Sequence, residues 1–193
     1  MDDGLQNASL AKDLAIAMVD GGRGLGNRQV IPAGPLRAPL AFQLELADAI
    51  VVNGPATGDD VAEWLRQRFT GPVLRSATVV AGDVAWLRGQ RIVGWAGIGS
   101  PQRFFTTLES QGARLAETVI FRDHQRLTDA EAARLLALAE RLQARLVSTE
   151  KDLARLKGAT GKLAELAAAT RVLPIKLNFA EAEAERLTAL IDS

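Results

Sequence analysis

The chain has 193 residues, of which 48% are hydrophobic and 24% charged, a balance that favours a folded core over disorder. Its 23 basic and 23 acidic side chains give a formal net charge of zero, so no electrostatic basis exists for nucleic acid as the main partner. The absence of cysteine excludes disulfides and thiolate metal sites and agrees with a reducing, cytoplasmic location.

The N-terminal sequence is unusual for the start of a domain. Met1-Asp2-Asp3-Gly4 supplies two carboxylates and a glycine where a turn or a regular element normally begins, and we interpret it as a domain that begins late. No window approaches the roughly 18 consecutive apolar residues of a membrane-spanning helix, and no basic region precedes an apolar stretch. The sequence therefore predicts neither a membrane span nor a signal peptide.

Eight apolar runs predict β-strands along the chain. Several of them lack polar alternation, which is typical of strands buried on both faces of a parallel sheet. The predicted strands cover residues 14–19, 49–52, 73–80, 84–87, 92–96, 116–121, 145–147 and 172–177.

Helical patterns fall between these runs. Thr128 and Glu131 have the spacing of a capping box, and Leu135, Leu138 and Leu142 follow them on one stripe, which predicts a helix over residues 128–143. A last helix is predicted with Asn178 as its N-cap. The alternation of strand and helix favours an α/β sandwich.

Residues 84–95 read as two short strands around a glycine-containing turn, a β-hairpin. We predict that this hairpin links two α/β lobes. The predicted division is a core at residues 1–81, a hairpin linker at 82–96 and a second, smaller lobe at 97–193.

The longest stretch without periodicity is the Gly- and Pro-rich segment 21–39, and loops of that length are often functional. Its glycines allow close backbone approach, and Arg23 and Arg37 suit phosphate. The spacing is not that of the dinucleotide fingerprint, and no Gly-Lys-Ser/Thr follows. A flexible surface loop is the alternative.

Two segments carry candidate catalytic or metal-binding groups. Asp2 and Asp3 are a carboxylate pair suited to Mg²⁺ beside a nucleotide phosphate, or a solvated terminal pair. His124, the only histidine, follows a predicted strand beside Asp123, where sites of open α/β sheets gather. It could orient a carboxylate or move a proton, or it could only cap a loop.

A third candidate is Ser148-Thr149-Glu150-Lys151-Asp152, which follows a strand and opens a helix. Thr149 and Asp152 fit a helix cap that needs no ligand. Alternatively, the first amides of the helix and Lys151 hold an anion. The pattern leaves both interpretations open.

Taken in order, these segments resemble the tetraacyldisaccharide 4'-kinase family, the ATP-dependent kinases of the lipid A pathway. The resemblance covers nearly the whole chain. It rests on Asp-Asp-Gly-Leu-Gln-Asn (2–7), Leu-Ala-Lys-Asp-Leu (10–14), Gly-Arg-Gly-Leu-Gly-Asn (22–27), Val-Ile-Pro-Ala-Gly-Pro-Leu-Arg (30–37), Ala-Gly-Ile-Gly-Ser-Pro-Gln-Arg-Phe-Phe (96–105), Phe-Arg-Asp-His (121–124) and Ser-Thr-Glu-Lys-Asp (148–152).

The resemblance implies a P-loop-type α/β/α core joined to a smaller α/β lobe, and transfer of the γ-phosphoryl of ATP to the 4'-hydroxyl of a lipid A disaccharide precursor. It implies Mg²⁺ as cofactor and a peripheral place on the cytoplasmic face of the inner membrane. The residues that we predict for the site are His124 and Asp123 for catalysis, Glu150 and Lys151 for the nucleotide, Arg23, Asn27 and Arg37 for the substrate, and Asp2 and Asp3 for the metal.

The chain also departs from the family pattern. The family's membrane-associating helix, its phosphate loop and its catalytic aspartate have no counterpart in these residues, and Gln125 stands where the family often has a second histidine. We therefore expect the chain to be inactive alone. It could be part of a kinase, a kinase completed by another chain, or a non-catalytic module that binds a sugar phosphate or a nucleotide.

Overall fold

The computed structural model describes residues 4–9, 11–55, 60–123 and 125–192. The chain folds into two compact units, one formed by Met1–Val79 and Lys176–Ser193 and the other by Val80–Ile175. Each contains a four-stranded sheet with helices, so the predicted α/β class is confirmed.

The regular elements alternate along the chain as the apolar pattern indicates. In chain order they are β1 (Ile16–Asp20), α1 (Leu40–Glu45), β2 (Ala49–Asn53), α2 (Val61–Arg66), β3 (Val73–Val80), a 3-10 helix (Ala85–Leu87), β4 (Arg91–Ala96), α3 (Pro101–Ser110), β5 (Arg114–Ile120), α4 (Asp129–Leu142), β6 (Arg145–Ser148), α5 (Glu150–Ala154), α6 (Gly161–Ala169), β7 (Thr170–Val172), β8 (Ile175–Asn178) and α7 (Glu181–Ile191).

The sheet of the first unit has the order β1-β2-β3-β8. β2 lies between β1 and β3, runs parallel to both, and is buried from Ala49 to Val52. Its apolar run without alternation thus belongs to a strand covered on both faces, as predicted. Parallel pairing sets Asp20 beside Asn53 and Asn53 beside Ser76, so β1 and β2 end at the same level and β3 continues beyond them to Val80.

The sheet of the second unit has the order β5-β4-β6-β7, and its neighbouring strands are parallel. Alternate residues of β4 enter two cores: Ile92 and Ala96 pack in one cluster, and Val93 and Trp95 in another. A Cβ at Gly94 would lie 3.1 Å from the ring of Phe105, a close approach that a larger residue could make only if the ring shifted. β4 is therefore an interior strand that is buried on both faces.

The predicted hairpin linker is wrong. Residues 84–87 form no strand: Asp83 accepts a hydrogen bond from the Ala85 amide at 2.8 Å, and the Leu87 amide donates to Val84 at 2.9 Å, which closes a 3-10 turn. Its partner in the predicted hairpin, β4, instead pairs in parallel with β5 and β6. The apolar run of β4 reflects burial at the centre of a sheet, not a short linker.

The C-terminal residues also depart from the predicted division. The predicted strand 172–177 is two strands, and they belong to different sheets: β7 lies beside β6, and β8 lies beside β3. Helix α7 belongs to the first unit, where Glu183 lies 3.9 Å from Arg66. Its N-cap is Ala180, not the predicted Asn178.

The predicted capping box at the start of α4 is confirmed. The Thr128 hydroxyl accepts from the Glu131 amide at 3.3 Å, and the Glu131 carboxylate accepts from the Thr128 amide at 2.8 Å. Hydrogen bonds from the amide and hydroxyl of Thr128 lower the pKa of Glu131 below its ordinary value near 4.5. No helix within the described part of the chain is both long and apolar enough to cross a bilayer.

Replacement of Thr128 by alanine should lower the free energy of unfolding by about 1 kcal/mol, because the first turn of α4 loses its cap. Chemical denaturation at pH 7 measures this. Thr160→Ala is the matched control, since Thr160 is the N-cap of α6 but makes no side-chain capping bond. Equal losses in the two variants would contradict the role of the box.

The wild type and Thr128→Ala also test the pH dependence of this cap. The depressed pKa of Glu131 means that its contribution is present above the unfolded value near 4.5 and is lost as the pH falls through the folded pKa. The difference in the free energy of unfolding between the wild type and Thr128→Ala should therefore shrink as the pH is lowered from 6 towards 3.

Candidate functional site

The carboxyl edge of the second sheet gathers the loops that the sequence singled out. Gly97 follows β4, Asp123 lies three residues beyond the end of β5, and Thr149 follows β6. Because these strands are parallel neighbours, the three loops meet at the edge where ligands bind in open α/β sheets.

Asp152 is the most buried charged side chain of this edge, with 4% of its surface exposed. The Gly97 amide donates to both of its carboxylate oxygens at 3.2 Å. The Thr149 hydroxyl donates to it at 2.7 Å and accepts from its amide at 3.1 Å. A buried carboxylate is stable only when it is paired and hydrogen-bonded, and Asp152 meets both conditions.

Arg155 provides the opposite charge. Its Nη1 donates to Asp152 Oδ1 at 3.0 Å and to the Gly97 carbonyl at 2.7 Å. Its Nη2 lies 3.8 Å from Asp123 Oδ1. One guanidinium therefore contacts the loops after β4 and β5 and the first turn of α5.

Asp123, a predicted catalytic residue, lies on this edge with 44% of its side chain exposed. Within its loop, the Arg122 amide donates to Gln125 Oε1 at 3.1 Å, and Gln125 Nε2 donates to Glu131 at 2.7 Å. His124, the other predicted catalytic residue, lies outside the described residues.

Glu150 and Lys151, the predicted nucleotide contacts, occupy the first turn of α5, and both side chains are exposed. Thr149 caps this helix by accepting a hydrogen bond from the Asp152 amide, so the structure contains the helix cap that the motif predicts. The five-residue helix brings Glu150 and Lys151 to the same edge of the unit as Asp123.

The first unit has its own carboxyl edge, after β1. Asp20 Oδ1 accepts from the amides of Gly22 and Arg23 at 2.8 and 3.0 Å, which fixes a tight turn. The Gly21 amide donates to Asn53 at 2.8 Å, and a Cβ on Gly21 would lie 2.7 Å from the Gly54 carbonyl. The chain therefore requires glycine there, and Arg23 stands exposed in the loop that follows.

The other predicted substrate residues lie further along this loop. Asn27 Nδ2 donates to the Ala33 carbonyl at 2.7 Å, and its Oδ1 accepts from the Gln29 amide at 3.1 Å. Its amide group thus holds the turn that brings Val30 beside Leu36. Arg37 follows this turn with an exposed side chain.

The predicted metal residues, Asp2 and Asp3, lie outside the described residues. Within residues 4–9, 11–55, 60–123 and 125–192, no group of three or more His, Cys, Asp or Glu side chains is placed to hold a metal ion. The predicted metal site thus stays a prediction.

Sequence reasoning missed Arg155 and left Asp152 undecided. Thr149 and Asp152 have the spacing of an ordinary capped helix, and that pattern gives no sign that the Asp152 carboxylate also binds the Gly97 amide. Arg155 stands three residues after Asp152, a spacing at which helical side chains meet, and this was the available signal.

Three comparisons identify proteins similar to this chain. The sequence model of the family described as "Tetraacyldisaccharide-1-P 4'-kinase" matches residues 1–192. A tetraacyldisaccharide 4'-kinase of Nitrobacter winogradskyi is 45% identical over 188 residues, which are 96% of this chain and 55% of that protein. One of Afipia carboxidovorans is 50% identical over 163 residues, 82% of this chain and 47% of that protein.

A solved structure shares the fold. The crystal structure of LpxK from Aquifex aeolicus in complex with ATP matches with a TM-score of 0.62 at 22% identity, over 99% of this chain and 55% of that chain. The chain thus spans about half the length of the relatives that it matches.

Asp152→Ala should lower the free energy of unfolding by about 3 kcal/mol or more, because the buried amide of Gly97 and the guanidinium of Arg155 lose their acceptor. Chemical denaturation measures the loss. Glu150→Ala is the control, since Glu150 is an exposed carboxylate of the same helix turn. A loss below about 1 kcal/mol would show that water replaces the carboxylate at little cost.

Proposed function

The chain belongs to the tetraacyldisaccharide-1-P 4'-kinase family, and on this premise we propose that it carries part of the site that phosphorylates a lipid A disaccharide precursor at its 4'-hydroxyl. The single observation that carries the proposal is the match over residues 1–192. The position of Asp123 on the carboxyl edge of a parallel sheet supports it.

The proposed reaction is phosphoryl transfer from ATP. The 4'-hydroxyl oxygen bonds to the γ-phosphorus, the bond from that phosphorus to the β–γ bridging oxygen breaks, and ADP leaves. The hydroxyl proton passes to a base. We assign His124 and Asp123 to orienting that base and moving the proton, because a histidine beside a carboxylate suits this task at neutral pH.

Substrate and nucleotide contacts are assigned by charge and exposure. Lys151 and Glu150 face solvent on the edge that carries Asp123, and we assign them to the nucleotide. Arg23 and Arg37 present exposed guanidinium groups in the loop after β1, and we assign them to the phosphate of the substrate. Asn27 serves the substrate through the shape of this loop.

The metal and the location complete the proposal. Carboxylates are the ligands that Mg²⁺ prefers, so Asp2 and Asp3 would hold it, and the bound ion would neutralise charge on the phosphates. The phosphate loop of a P-loop kinase needs a Gly-Lys-Ser/Thr run, which these 193 residues do not contain. We propose that transfer requires this loop from outside them, and that it takes place at the cytoplasmic face of the inner membrane.

The test is a fusion of this chain to the region of the Nitrobacter winogradskyi relative outside its 188 matched residues, here termed the fusion kinase. The fusion kinase should transfer phosphate from ATP to tetraacyldisaccharide 1-phosphate, and the chain alone should not exceed a control without enzyme. Activity of the chain alone that is lost on chelation of Mg²⁺ would contradict the need for a separate phosphate loop. A folded fusion that binds ATP or the disaccharide without turnover would favour the non-catalytic module.

In the fusion kinase, His124→Ala should lower kcat by about 10²- to 10⁴-fold and leave the KM for ATP nearly unchanged, because proton movement acts in the transition state. Steady-state kinetics and a melting curve measure the two effects. Lys162→Gln is the control, since it removes an exposed ion pair with Glu165 in the same unit. A destabilised variant of full kcat would remove His124 from the mechanism.

A further inference from the structure

Asp152, the last residue of the Ser148–Asp152 motif, pairs with Arg155, and we call these two residues the edge pair. The pair does more than cap a helix, because its contacts reach well beyond α5. Asp152 binds the Gly97 amide through both carboxylate oxygens, and Arg155 binds the Gly97 carbonyl. The pair therefore binds both the amide and the carbonyl of Gly97, the residue that follows β4.

The edge pair extends to the loop after β5 through Arg155. Arg155 Nη2 lies 3.8 Å from Asp123 Oδ1, within ion-pair range, and the side chain of Arg155 is only 25% exposed. Its Nη1 is fixed by Asp152 and Gly97, so the plane of the guanidinium is set before it meets Asp123. A pre-oriented arginine places a carboxylate at little further loss of side-chain freedom.

The loop that carries Asp123 is also held at both of its ends. The Phe121 amide donates to the Ala96 carbonyl at 2.9 Å, and Gln125 donates to Glu131 at 2.7 Å. Glu131 is itself held by the capping box of α4. Both sequence neighbours of His124 are thus tied to regular elements, Asp123 through the edge pair and Gln125 through α4.

We propose that Asp152 and Arg155 are positioning residues for phosphoryl transfer, which hold Asp123, the residue before His124 in the chain, at the carboxyl edge of the sheet. The inference rests on the proposed function, because it assigns His124 to the transfer. Neither member of the pair needs to touch the substrate. Their role is to connect the loops that follow β4, β5 and β6.

A purely structural role would predict a different pattern. An ion pair that only stabilised the unit would change the melting temperature and leave the behaviour of residues 121–125 as it was. A half-exposed ion pair such as Arg155–Asp123 is worth little stability, about 0 to 1 kcal/mol. Loss of this contact should therefore loosen the segment with little effect on stability. Any larger loss of stability in Arg155→Gln comes from the buried carboxylate of Asp152, which loses its counter-charge.

The first experiment uses the chain itself and Arg155→Gln, with Lys162→Gln as control. Hydrogen exchange of residues 121–125 should be about tenfold faster in Arg155→Gln and unchanged in the control. The imidazole proton–carbon signal of His124, the only histidine of the chain, should shift or broaden in Arg155→Gln alone. Unchanged exchange and an unchanged signal would overturn the proposal.

The second experiment uses the fusion kinase. Arg155→Gln should lower kcat by about 10- to 100-fold, with the KM for ATP within about twofold of the wild type, because a residue that orients a catalytic group acts on kcat. Arg155→Lys, which keeps the charge without the fork, should recover part of this loss. If Arg155→Gln unfolds the chain, Arg155→Lys takes its place in both experiments, with effects in the same direction.

The two experiments separate the inference from the proposed function. If His124→Ala lowers kcat and Arg155→Gln does not, the positioning role is wrong and the proposed function stands. If the wild-type fusion kinase is inactive, the proposed function fails, and the exchange and histidine measurements still decide whether the edge pair holds the segment.

Discussion

A buried carboxylate must find partners for its charge and its lone pairs, and Asp152 finds them at the carboxyl edge of the second sheet. The Gly97 amide, the Thr149 hydroxyl and the Arg155 guanidinium surround it, and they come from the ends of two parallel strands and the helix between β6 and α6. Because the carboxylate is 4% exposed, none of these partners can be replaced by water without rearrangement. The constraint therefore fixes the geometry of the edge on which Asp123 lies.

Both units use parallel strand pairing to bring polar loop residues to one edge of the sheet. In the first unit it sets Asp20 and Asn53, the last residues of β1 and β2, side by side, and the Gly-rich loop begins there. In the second it brings Gly97, Asp123 and Thr149 to one edge, where a carboxylate–arginine pair joins them. The hydrogen bonds show which side chains keep the shape of each edge: Asp20 in the first unit, and Asp152 and Arg155 in the second.

The sequence predicted what depends on local pattern. β3 has the predicted bounds, 73–80, and the Thr128–Glu131 box is present, because apolar runs and cap spacing act within a few residues. The sequence-based prediction failed where tertiary packing determines the structure. Residues 84–87 form a 3-10 helix, and residues 172–177 divide between two sheets. The contact of Arg155 with Gly97 spans 58 residues and follows from β4 lying beside β6, which no local pattern specifies.

The most direct test of the account is a double-mutant cycle in the fusion kinase between Arg155→Gln and Asp123→Asn, read as kcat. If Arg155 acts by holding Asp123, its replacement should lower kcat about tenfold or more when Asp123 is present and change it less than twofold in the Asp123→Asn background. The same loss of kcat in both backgrounds would contradict the account, because Arg155 would then act independently of Asp123.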